Sequence, residues 1–150
     1  MIAGTRDAAR FAAVAATLTV AHLIGDYVLQ TDHQADRKPC RADRSVECGE
    51  VESWAANQSH VATYRGAQII ALVAADRILG LGLSPGRVAA GVAVSWITHS
   101  VIDRRWPVRV WMDRTGSAAF RERGGAAHVD QTLHHSCLWA SALIISGGTR

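Results

Sequence analysis

Residues 82–103, GLSPGRVAAGVAVSWITHSVID, decide the architecture: a glycine-bearing turn, a helix start, and an apolar helix that ends in a histidine and an aspartate. Ser84 stands at the N-cap position and Pro85 in the first helical position, where a missing N–H costs nothing. The link before it, LGLGLSPG, is short, so this helix and its predecessor are antiparallel neighbours. Trp106-Pro107 closes the segment, because proline disfavours helical geometry in the residue before it.

The terminal pair, His99 and Asp103, is spaced by four residues, which places both side chains on one helix face. The same spacing recurs as His22 and Asp26 in LTVAHLIGDYVL and as Asp130 and His134 in HVDQTLHH, while His60 opens SHVATYRGAQII. Polar groups on apolar helix faces are costly unless they meet partners. Three such pairs and a lone histidine therefore predict convergence on one polar site, with a metal ion as occupant.

Working outward, the pattern predicts an all-α chain of 150 residues in one domain, with helices over about 8–29, 59–81, 85–103 and 126–146 and a polar loop between the first two. Gly124-Gly125 and Gly147-Gly148 bound the last helix. In an antiparallel four-helix bundle the end of the first helix, the start of the second, the end of the third and the start of the fourth share one end. Every suspect residue obeys this rule. Random placement of four polar groups would agree about one time in eight, on the antiparallel topology alone.

The mean hydropathy of +0.06 looks too polar for a membrane protein until the charges are located. Residues 31–57 carry Arg37, Lys38, Arg41 and Arg44 among six acidic residues, and residues 104–125 hold six arginines. The helices between them are poor in charge; residues 131–149 contain no Asp, Glu, Lys or Arg. Crossing a bilayer needs about 20 mostly apolar residues, and the second helix, interrupted by Arg65, Asp76 and Arg77, is the weakest candidate. Small residues in GLGLSPGRVAAGVAV and tryptophans in the flanks (Trp54, Trp106, Trp111) favour a membrane bundle with an aromatic belt. The net charge of +3 suits an anionic lipid surface, and the absence of a Lys/Arg-plus-aromatic module argues against nucleic acid. Arg6 and Arg10 before an apolar run loosely resemble a signal peptide, but the run continues to Leu29 without a small-residue cleavage pattern and is expected to be retained. Cys40, Cys48 and Cys137 form no CxxC, so neither a disulfide scaffold nor a zinc ribbon is indicated and a reducing compartment is the default.

A single His-Asp pair at this spacing is most often a helix-surface contact; the whole constellation is what favours metal. His33 and His128 read as loop or cap residues, and His135 points about 100 degrees away from His134. Gln30 and Gln131 lie one turn from the ligands, where they can orient them. Arg65, one turn beyond His60, either snorkels to the interface or holds an anionic substrate group.

On the motifs AHLIGDYVLQTD, WITHSVID and HVDQTLHH, the chain resembles the small integral-membrane proteins of bacteria and phages grouped as domain-of-unknown-function family 3307. The resemblance covers most of the chain outside residues 33–57 and implies several membrane helices with polar histidine and aspartate motifs, but no activity. A weaker similarity, through THSVIDRRWPVRVW, is to metal-dependent hydrolases of the bacterial inner membrane; their HxxH has no counterpart here.

The expected function is metal-assisted hydrolysis of a membrane-proximal ester or phosphoester. His22, Asp26, His60, His99, Asp103, Asp130 and His134 are the expected metal site, with Asp26, Asp103 and Asp130 also the candidate catalytic carboxylates and Arg65 the substrate contact. Zn²⁺, Mn²⁺ and Fe²⁺ all suit nitrogen and oxygen ligands. The expected location is an inner or plasma membrane with both long loops cytoplasmic. Two rivals stand beside this reading: a non-enzymatic phage or bacterial membrane accessory protein, and a soluble helical regulator that binds a partner or nucleic acid through its Arg-rich loop.

Overall fold

The computed structural model describes residues 3–39 and 49–147. Cys40 and Cys48, and the loop charges Arg41 and Arg44, lie outside the described residues. Four long helices carry the fold: α1 (Ala3–Leu23), α3 (Glu50–Leu79), α4 (Pro85–Ile102) and α7 (Ala126–Ser146). Each packs on two others in the ring α1, α3, α4, α7. Their directions alternate, because Phe11 near the start of α1 meets Trp139 late in α7, and Gly91 early in α4 meets Ile145 at the end of α7.

Two helix starts differ from expectation: the first helix begins at Ala3, not at about residue 8, and the second is displaced further. The second long helix begins at Glu50, not at about residue 59, so His60 lies inside a helix and not at its start. Glu50 and Glu52 supply acidic side chains in that first turn, where the helix dipole favours them. The first helix continues as a π-type turn over Ile24–Val28, closed by the Leu29 amide on the Ile24 carbonyl at 2.9 Å. Such turns concentrate at functional sites because the extra residue re-aims a side chain, here Asp26. Gly25 makes room for it: a Cβ there would lie 3.2 Å from Tyr64 Cα and 2.7 Å from its ring.

The described residues of the polar segment after α1 are largely helical. Thr31 and Gln34 form a reciprocal capping box that opens the short helix α2 (Asp32–Arg37). The arginine-rich segment likewise holds α5 (Trp106–Arg114) and the single turn α6 (Ala118–Phe120) before the kink at Gly124. Pro107 therefore does two things: it ends α4 and occupies the first turn of α5, where its missing N–H is harmless.

The tight turn between α3 and α4 is built by Gly80, in the left-handed region at φ 61°, and by Asp76, whose carboxylate accepts from the Leu83 amide at 2.9 Å. Asp76 thus interrupts the apolar run as a turn cap. Ser84 takes the extended N-cap conformation expected of it, though its side chain makes no capping hydrogen bond.

The interior is segregated along the bundle. At the end holding the α3–α4 turn, Val14, Leu18, Leu72, Val92, Leu138, Ala142 and Ile145 form an apolar cluster; at the other end lie the buried polar residues His22, Asp26, Asn57, His60, His99, Asp103 and His134, beside a smaller apolar cluster of Ile102, Val108 and Met112. The α4–α7 contact depends on Gly91, whose added Cβ would collide with Ile145 and lie 2.9 Å from the Ser141 carbonyl. Gly91→Ala is expected to lower stability by about 1–3 kcal/mol, as overpacking does. Gly66→Ala, where nothing lies within 4 Å, is expected to be neutral or stabilising. Thermal unfolding of the purified variants in detergent measures both.

Candidate metal centre

The end of α1, the middle of α3, the end of α4 and the start of α7 bring all seven sequence-predicted residues to one end of the bundle. Four of them converge most tightly. His60 Nε2 lies 3.1 Å from Asp26 Oδ1 and 3.1 Å from His99 Nε2. His99 Nε2 lies 3.4 Å from Asp26 Oδ1 and 3.2 Å from Asp103 Oδ2, and His60 Nε2 lies 3.4 Å from the same Asp103 oxygen. All four residues are buried.

Hydrogen bonds alone fit this arrangement poorly. Each imidazole Nε2 offers one N–H or one lone pair. If one hydrogen bridges His60 and His99, little remains for two carboxylate oxygens; if both nitrogens carry hydrogens, they face each other at 3.1 Å. Asp103 Oδ2 is buried and makes no hydrogen bond despite its two close nitrogens. A cation removes the conflict. Metal–ligand bonds of about 2.0–2.1 Å in a tetrahedral site imply donor–donor distances of about 3.3–3.4 Å. The five separations given above run from 3.1 to 3.4 Å. Asp26, His60, His99 and Asp103 therefore form a group able to hold a metal ion, and two nitrogens with two oxygens suit a divalent transition metal.

The remaining residues surround this group. His22, His99 and His134 form a second close set. His22 Nε2 bonds Gln131 Oε1 at 3.0 Å, and Gln131 Nε2 donates to Asp26 Oδ2 at 3.4 Å, so Gln131 orients both. His134 Nε2 has no hydrogen bond, and lies 3.7 Å from Asp103 Oδ1 and 3.6 Å from Asp130 Oδ2. The Nδ1 atoms of His60 and His99 find no protein partner; the Tyr64 ring, stacked on His99 with centroids 3.9 Å apart, fixes that imidazole instead. Asp130 stands apart: its side chain is 24% exposed and faces a cavity of about 480 Å³ that opens beside the centre.

Sequence reasoning missed Lys38, which it had left in the polar loop between the first two helices. Its ammonium is buried, donates to Asp103 Oδ1 at 3.0 Å and lies 3.8 Å from Asp26 Oδ1. Two tethers deliver it. Gln34 bonds Ser59 at 3.1 Å, and Arg104, itself stacked on Trp54, donates to the Lys38 carbonyl at 2.8 Å and to the Ser53 hydroxyl. The capping-box spacing of Thr31 and Gln34 is the sequence signal for the start of α2, the helix that leads to Lys38. Arg65 is placed elsewhere than a substrate contact requires: its guanidinium sits 4.9 Å over the Trp96 ring and is not part of the cavity wall.

Fold and site together define a helical protein with a buried histidine and aspartate centre of metal-binding composition at one end of its bundle. The chain belongs to the family of proteins of unknown function DUF3307, which matches it over residues 14–148. No curated protein and no solved structure matches the chain.

Proposed function

We propose that this chain is an integral membrane protein whose buried centre binds one divalent transition-metal ion, Zn²⁺, Mn²⁺ or Fe²⁺, and hydrolyses a membrane-proximal ester or phosphoester. The observation that carries the reading is the set of four convergent, buried donor atoms from Asp26, His60, His99 and Asp103, close enough together to bind one ion. A divalent ion held there supplies Lewis acidity and a nucleophilic water at neutral pH. Asp26 and Asp103 serve as ligands, with Lys38 offsetting their charge. Asp130, on the open side, takes the proton from the attacking water and returns it to the departing alcohol. Elemental analysis of protein purified without chelators, followed by assays on neutral and phosphate esters, tests the reading; a protein that neither retains nor takes up any of these ions overturns it.

Membrane placement is supported by what faces outward. Gly4–Val28 is long and apolar enough to cross a bilayer. Val28 within it is 73% exposed, and beyond it Ile70 is 72%, Ile78 80% and Ile97 60% exposed, while the centre holds buried polar groups. A soluble protein rarely leaves apolar surface on so many faces and polar groups inside. Trp54, Trp106, Trp111 and Tyr27 are exposed at the end of the bundle where the centre lies, the level an aromatic belt would occupy. Residues 31–57 and 104–125 carry ten Lys/Arg, four and six. Lys38 and Arg104 of that number are buried, and the remaining excess supports a cytoplasmic position for both segments. An impermeant thiol reagent applied to intact cells is expected to leave Cys40 and Cys48 unlabelled; efficient labelling reverses the orientation.

A further inference from the structure

We infer that the centre has a second, weaker position for a divalent ion, held by His22 and His134 and bridged to the first by the carboxylates of Asp26 and Asp103. The inference rests on the reading of the centre as a metal site. Its basis is the way the two carboxylates divide their oxygens. Asp26 Oδ1 and Asp103 Oδ2 face the first pair of histidines, His60 and His99, at 3.1–3.4 Å. The other two oxygens face the second pair. Asp26 Oδ2 lies 3.8 Å from His22 Nε2, and Asp103 Oδ1 lies 3.7 Å from His134 Nε2. Each aspartate thus turns one oxygen to each histidine pair, the arrangement that lets a carboxylate bridge two ions. Donors bonded to one ion at about 2.1 Å stand at most about 4.2 Å apart, so both separations suit a shared ion. His22, His99 and His134 each offer a nitrogen within 4.8 Å of the other two. His99 Nε2 cannot serve both ions, because it has a single lone pair, and the carboxylates complete the second set instead.

His134 points to a ligand independently. Its side chain is 2% exposed, yet among the described residues its Nε2 finds no hydrogen bond and is directed at Asp103 Oδ1 and at Asp130 Oδ2, 3.6 Å away. A buried nitrogen left unpaired is costly, and a metal ion uses its lone pair. Lys38 shows that a cation fits on this side, since its ammonium donates to Asp103 Oδ1 at 3.0 Å. An ion bound there competes with that ammonium. His22 also has to exchange its 3.0 Å contact with Gln131 Oε1 for a metal bond. Both costs make the second position the weaker one. Asp26, Asp103, Asp130 and Gln131 line the cavity, which leaves this side open for water or a substrate oxygen to complete the coordination. Two ions about 3.5–4 Å apart clamp the attacking and leaving oxygens of an in-line displacement, so the pair favours a phosphoester over a neutral ester.

The test is titration of the full chain in detergent micelles with Mn²⁺, read by elemental analysis and electron paramagnetic resonance. Two ions per chain are expected, the second bound at least tenfold more weakly than the first. Filling the second position should replace the six-line spectrum of an isolated Mn²⁺ ion with the broadened signal of an exchange-coupled pair. His22→Ala and His134→Ala are each expected to return the protein to one bound ion and a six-line spectrum. Lys38→Met, which removes the competing ammonium, is expected to tighten the second ion at least tenfold. One ion per chain in the wild-type protein overturns the inference and leaves the one-ion reading intact, whereas no bound ion overturns both. Two uncoupled ions, or a coupled pair that survives both histidine substitutions, also overturn it. Unchanged affinity for the second ion in Lys38→Met would place that ion away from Asp103 Oδ1 and remove the bridge. The wild-type count and spectrum do not depend on whether the variants fold.

Discussion

His99→Ala is expected to leave the purified protein without its metal ion, lowering metal affinity by well over the 10–100-fold seen when groups behind a ligand are removed, and to abolish hydrolysis. His99 shares the middle of the group with His60. Its Nε2 lies within 3.4 Å of His60, Asp26 and Asp103 at once. Its ring is stacked on Tyr64 and lies 4.3 Å, centroid to centroid, from His134. Removing it takes away one of four donors and opens a cavity among polar groups. Elemental analysis gives the metal content, and circular dichroism in detergent reports whether the helices persist. Tyr64→Phe is the matching control: it keeps the stacked ring and loses only the hydroxyl, which accepts from Gln68 at 3.1 Å. Metal content should be unchanged there. Full metal occupancy in His99→Ala would remove the basis for the proposed centre.

Asp130→Asn is expected to leave metal content unchanged and to lower kcat by about 10²–10⁴-fold, the usual contribution of a positioned acid or base. Asp130 differs from the other two carboxylates in its surroundings. Asp26 and Asp103 are buried among the histidines and Lys38, so removing charge from either disturbs ion binding as well as any proton transfer. Asp130 faces the cavity, and His134 Nε2 lies 3.6 Å from its carboxylate. Asp103→Asn therefore mixes two effects that Asp130→Asn separates. A drop in kcat with metal and KM preserved identifies the base. Equal loss of metal in Asp130→Asn would make it a ligand and move the catalytic role elsewhere.

The candidate centre was legible in the sequence to the extent that helix periodicity carries it. His22 with Asp26, His99 with Asp103 and Asp130 with His134 each follow from a spacing of four on an apolar helix, and the antiparallel order puts them at one end. Lys38 was not legible as part of it. It lies in a charged segment without apolar periodicity, and its burial depends on Arg104 and Ser59, far along the chain, which hold α2 against the bundle. Arg65 shows the opposite case. Its position one turn from His60 suggested a ligand contact, but a helix turn also rotates the side chain, and the aromatic face of Trp96 on α4 claimed it.

By itself the sequence determined the helical class, the alternating directions of the long helices, the tight α3–α4 turn and the end of the bundle where histidines and aspartates gather, because these depend on local periodicity, turn chemistry and connection length. Tertiary structure alone decided which four donor atoms meet, that Lys38 completes the charge, that Arg105, Arg109 and Arg121 wall the adjoining cavity, and that Asp130 stays open to it. The reason is one of distance. A helix repeat places a residue on a face to within a turn, whereas coordination and hydrogen bonding are settled within a few tenths of an ångström, by how ridges from different helices and their tethers pack together.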